Sequence, residues 1–142
     1  LEVSHVSRRL KIAIEVTRAR AQQRRQRTAE VEKAFALFLE AVATPVTRQM
    51  ANALKVAGIA FTVETPGGGL RLSADRGRDD FVEFALDTSG DRPEVVGRVS
   101  QARGSRTLDR TLPVKAGADP GAIGEEDVLE FLLVALEPWL ER

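Results

Sequence analysis

The chain has 142 residues, 30% of them charged, equal numbers of basic and acidic side chains, and no cysteine. That length holds one domain with a sizeable core and not two comfortable ones. Without cysteine there are no disulfides and no Cys-ligated zinc or iron–sulfur sites. No stretch of 18 apolar residues occurs, so no helical membrane span and no membrane partner are expected.

The neutral total hides an asymmetry. Residues 1–27 hold eight basic groups against two acids, a net of +6, which leaves −6 on the rest. A basic arm on an acidic body is suited to polyanions or to the acidic body of a second copy. Arg8, Arg9 and Lys11 interrupt the apolar stretch at the start, so a signal peptide is not indicated. An Arg-rich, acid-poor start also has the composition of an organellar transit peptide, but a cytoplasmic location is the default expectation.

The first 57 residues contain no glycine and one proline, Pro45, whereas all eleven glycines fall from Gly58 onward. This shift separates a helical part from a strand-and-turn part. Val3, Val6, Leu10, Ala13 and Thr17 recur at helical spacing, and Val31, Ala34, Phe35, Phe38, Leu39 and Val42 resume it. Arg18 to Arg27 between them offers almost no apolar face, which fits a solvated bridge in one long helix or a break. One helix from about Ser7 to Ala43 is favoured. At about 1.5 Å per residue it exceeds 50 Å, so its first half must project. Residues 12–16, Ile-Ala-Ile-Glu-Val, also fit a short strand. Thr44-Pro45 then reads as the end of one helix and the start of another, with Thr44 as N-cap and Pro45 at the first position. Val46, Met50, Ala53, Leu54 and Ala57 form the second stripe, closed by Gly58.

Five alternating strands follow: Ile59–Glu64, Leu70–Asp75, Asp80–Asp87, Glu94–Ala102 and Arg106–Val114. Their connectors, 66–69, 75–78, 88–91 and 103–105, are rich in glycine, aspartate and serine, the residues of turns. Alternation with one polar side predicts an antiparallel meander with one face buried. The last helix, Glu125–Glu141, carries Val128, Phe131, Leu132, Ala135, Leu136, Trp139 and Leu140 on one stripe. Pro138 should kink or tighten its end. The expected class is α+β: a long N-terminal helix, a second helix, then a four- or five-stranded antiparallel meander covered on one face by a C-terminal helix. The expected division is a helical arm over 1–43, basic in its first 27 residues, and an α+β body over 44–142. The body would hold a helix at 45–57, strands within 59–114 and a helix at 125–141.

Little in the sequence carries chemistry, and the expectation leans away from an enzyme. His5 is the single histidine, near a terminus, where a general base would lack a held position. Asp79-Asp80 reads as a solvated turn balanced by Arg76 and Arg78. Glu125-Glu126-Asp127 opens the last helix, where acids complement its dipole. Gly67-Gly68-Gly69 precedes a strand and so lacks the helix N-terminus that would hold a phosphate. Gly117, Gly121 and Gly124 precede a helix opened by three acids, which repel anions. No catalytic, metal or cofactor site is therefore assigned.

Three functions stay open. The chain is first read as a protein-binding module that forms a homodimer through its N-terminal helix, with Val6, Leu10 and Ile14 in the interface. The alternative is a nucleic-acid-associated protein in which Arg18, Arg20, Arg24, Arg25 and Arg27 meet phosphates without base stacking. The third is a small-ligand binder with a pocket between the sheet and the last helix. Element order alone is similar to that of helix-grip folds, where a curved sheet wraps the last helix, although five short strands are few for a roomy cavity.

Overall fold

The computed structural model describes residues 1–90 and 92–141; Asp91, the last residue of the expected turn at 88–91, lies outside them. The chain opens with α1 (Val3–Phe38), passes through one π-helical turn (Leu39–Ala43) and continues as α2 (Thr44–Val56). Together these form one 54-residue helix, about 80 Å long at 1.5 Å per residue. Alanine, arginine, glutamine and glutamate dominate its exposed stretch, all good helix formers. The short-strand alternative for residues 12–16 is not what the chain adopts, because α1 runs straight through them.

Both expected helices are present, but the break at Thr44-Pro45 is not. Thr44 is no N-cap: it has helical φ/ψ of −65° and −48°, and Ala43 before it is helical too. A proline inside an α-helix lacks an N–H and drives its ring into the carbonyl four residues back. The wider π turn relieves that crowding. The Thr44 N–H donates to the carbonyl of Leu39, five residues back, and the helix passes over Pro45 without ending. Gly58, at φ +84°, then closes α2 as expected.

The sheet is a five-stranded antiparallel meander in sequence order: β1 (Phe61–Glu64), β2 (Leu70–Ala74), β3 (Phe81–Asp87), β4 (Glu94–Arg103) and β5 (Arg106–Pro113). Leu70, Leu72, Val82, Phe84, Val95 and Val99 form its buried face. Across them lie α3 (Glu125–Ala135) and the single turn α4 (Glu137–Leu140), beside α2. Phe131, Leu132, Leu136, Trp139, Phe61, Leu72 and Phe84, the residues expected deepest, are all buried. Aromatic rings tie the layers. Phe84 meets Phe131 at 5.4 Å and Phe38 at 6.4 Å between centroids, and Trp139 stands edge-on to Phe61 at 5.5 Å.

One glycine makes that packing possible. Gly97 lies on the covered face of β4, opposite Phe84 and Leu112. A Cβ built there would sit 1.9 Å from the Phe131 ring, so the ring rests on bare backbone. Phe131, Leu132 and Val128 thus fill the space between sheet and last helix, where the small-ligand alternative would need its pocket.

Three details depart from the sequence pattern. Asp80 is not a solvated turn residue: it is buried, and its carboxylate accepts the Ala102 N–H at 2.7 Å, tying the β2–β3 turn to β4. Leu140 is 43% exposed. The helix tightens at Leu136, where the Trp139 N–H donates only three residues back, and the 3.6-residue phase is lost beyond it. Leu108 is exposed because the β4–β5 hairpin runs on to Arg103 and Arg106 while β3 stops pairing at Ser100. On the open face, Ser100 and Val96 are buried between strand neighbours, Phe81 with Asp109 and Ala85 with Pro113. Arg71 lies over the Phe81 ring there and pairs with Glu83 at 2.7 Å.

Candidate self-association surface

α1 divides by what its side chains touch. Every residue from Leu1 to Arg20 is exposed, partial burial becomes regular at Val31, and Phe38 is the first fully buried side chain. The stretch Pro120–Ala122 packs against the body-proximal part of this helix. The first half of α1 projects, as the length of the helix requires.

That projecting half is apolar on one side. Val3, Val6, Leu10, Ala13 and Thr17 step by three and four residues, with Ile14 flanking Leu10 one turn on. The three residues assigned to a dimer interface are exposed in this chain: Val6 at 49%, Leu10 at 58% and Ile14 at 38%. Ile12 and Val16 are exposed as well. Val16 flanks the stripe, while Ile12 lies well around the helix from it. A lone exposed leucine is ordinary, but a run of large apolar residues on a single projecting helix is compatible with self-association.

The stripe also points the same way as the core. On a helix of 3.6 residues per turn, Val3, Val6 and Leu10 fall on the side that Val31, Phe35, Phe38 and Val42 turn toward the body. Ala21, Arg24 and Thr28 connect the two halves, so the seam is continuous but weakened by one arginine.

Arg18, Arg20, Arg24, Arg25 and Arg27 are all exposed on α1. Arg20, Arg24 and Arg27 share one side, and Arg18 and Arg25 another. Among the described residues, the ion pairs are Arg71–Glu83 and Lys115–Asp127, so the arm's arginines have no acidic partner there. His5 stands exposed on the same arm.

Of the three acids at the start of α3, Asp127 has a structural role. The Asp127 carboxylate accepts the Gly124 N–H at 2.9 Å and pairs with Lys115 at 3.3 Å. The Gly124 hydrogen bond, then Lys115, holds its carboxyl below the usual carboxylate range. Asp87 is lowered in the same way by the hydroxyl and N–H of Ser89. Both groups are ordered by local hydrogen bonds.

One surface escaped the sequence reading. Between α2 and α3 lies a depression of about 270 Å³ floored by Val46, Met50, Ala53 and Leu129 and rimmed by Glu125 and Glu126. The stripes of both helices were legible; the angle at which they meet was not. No helix of the described residues is long and apolar enough to cross a membrane. Comparison with family models, with curated proteins and with solved structures finds no match.

Proposed function

We propose that this chain is a non-enzymatic interaction module that self-associates through the projecting half of α1, with Val6, Leu10 and Ile14 in the contact. One observation carries the reading: an apolar stripe at three–four spacing stands exposed on a helix far from its own core. Burying it removes apolar area from water, worth roughly 25 cal/mol per Å² before the entropic cost of association. The body needs no help from it, since its own core is closed by α2, α3 and the sheet.

Mass in solution by light scattering tests this. The full chain should be a dimer. Leu10→Asp should be a monomer with an unchanged melting temperature, and Ile12→Asp, a change off the stripe, should remain dimeric. A chain beginning at Thr28 should fold and be monomeric. A monomeric full chain, or a dimer that survives Leu10→Asp, sinks the reading.

A second reading is supported by the five exposed arginines between Arg18 and Arg27, which lack acidic partners among the described residues. Cations around a solvated helix suit phosphate contacts that need charge but no base sequence.

A further inference from the structure

We infer that the arms pair antiparallel, centred near Leu10, with the two bodies at opposite ends of the rod. This rests on the self-association reading above and specifies the partner: a second copy of the same segment, running the other way.

Steric and electrostatic observations point to it independently. The exposed stripe lies on the same side of the helix as the body, and that helix runs unbroken to Val56. In a parallel pair, two packed helices stand about 8–10 Å apart at their axes. Both bodies would then have to occupy the gap between the two helices just past Val31. In an antiparallel pair the two bodies lie at opposite ends of the rod and do not meet.

Charge selects the same arrangement and fixes the overlap. Residues 3–17 carry the stripe and, counted with Glu2, have three basic groups against two acids, so two such segments face each other at little cost. Residues 18–27 hold five arginines and no acid. A parallel pair lays these two +5 segments side by side, within about one Debye length, roughly 8–10 Å, where they repel. An antiparallel pair centred on Leu10 separates them by about 36 Å along the rod at 1.5 Å per residue, several Debye lengths apart. It sets Leu10 against Leu10 and Val6 against Ile14, and it brings Glu2 level with Arg18 of the second copy. The same charges explain why the overlap stops there. Sliding the arms further would drive each apolar segment onto the other's arginines.

The absence of native cysteine makes the test direct. A Gln23→Cys variant of the full chain, spin-labelled at that single thiol, reports the distance between the two copies. Antiparallel pairing centred at Leu10 expects about 40 Å, set by the helical rise. Parallel pairing expects less than about 20 Å, set by the interhelical spacing. A dimeric mass with the long distance supports the inference. A dimeric mass with the short distance, or with labels too far apart to couple, overturns it while leaving self-association standing. A monomeric mass overturns the self-association reading itself.

Discussion

Leu10 and Leu132 are the same side chain on two helices of the same molecule, and their surroundings are opposite. Leu132 is wholly enclosed between Phe131, the sheet and α2, whereas Leu10 is more than half exposed on the projecting arm. Helical spacing brings each onto an apolar stripe, so periodicity alone does not say whether a stripe is a core or an interface. The difference lies in reach. α3 follows a sheet that can cover it, while among the described residues nothing lies on the first half of the arm. Among the described residues the arm's stripe has no partner, which is compatible with self-association.

The sharpest way to break that comparison is to make one change in both places. Leu132→Ala should destabilise the fold by about 2–5 kcal/mol, the range for large-to-small changes in a close-packed core. Leu10→Ala should leave the body's unfolding within about 0.5 kcal/mol of the parent, as surface changes do, and weaken association instead. Chemical denaturation at a concentration where the parent is dimeric, with mass measured in parallel, separates the two. If Leu132→Ala unfolds with the parent, the helix-on-sheet core is misassigned.

Gly97→Ala is the next largest effect. The added methyl meets the Phe131 ring, which has Phe84 at its side and no room to retreat. Overpacking of this kind costs about 1–3 kcal/mol. The arm is untouched by the change, so below its melting temperature the variant should keep the parent's mass. A Gly97→Ala protein as stable as the parent would mean that α3 stands further from β4 than described.

Gly97 also marks where the sequence stops being legible. The meander, its order and the burial of α3 follow from two periodicities, because alternation of 2 and recurrence at 3.6 each put apolar atoms on one side. Gly97 looks like a weak point in a strand until the ring above it is known, since a glycine's role as floor is a property of its neighbour. Thr44-Pro45 carries the local signature of a helix start, yet tertiary packing on both sides keeps the helix going and spends one π turn to do so. Asp80 gives no sign in sequence of reaching Ala102, 22 residues away. The arm's stripe was legible down to Val6, Leu10 and Ile14 because an exposed helix keeps its ideal period. The antiparallel direction inferred above was not, because the inference rests on which side of that helix the body occupies.

The smallest expected effect on stability belongs to the arginines, and there the arm's two readings part. Changing Arg24, Arg25 and Arg27 to glutamine should leave the melting temperature nearly unchanged, since exposed charges contribute little to folding. If the arm pairs with a second copy as inferred, the triple variant should dimerise at least as well as the parent, because it removes charge that repels deeper overlap. If the arginines exist to meet phosphates, the parent should be retained on duplex or single-stranded nucleic acid. Its affinity should then fall with salt at a log–log slope of about 0.7–0.9 per phosphate neutralised, and the triple variant should lose part of that slope. Retention of the parent but not the variant at roughly 50–100 mM salt, where sequence-independent binders still hold, would add nucleic acid to the arm's partners. No retention of either would leave the arginines one function, that of a charged spacer setting how far two arms can slide past each other.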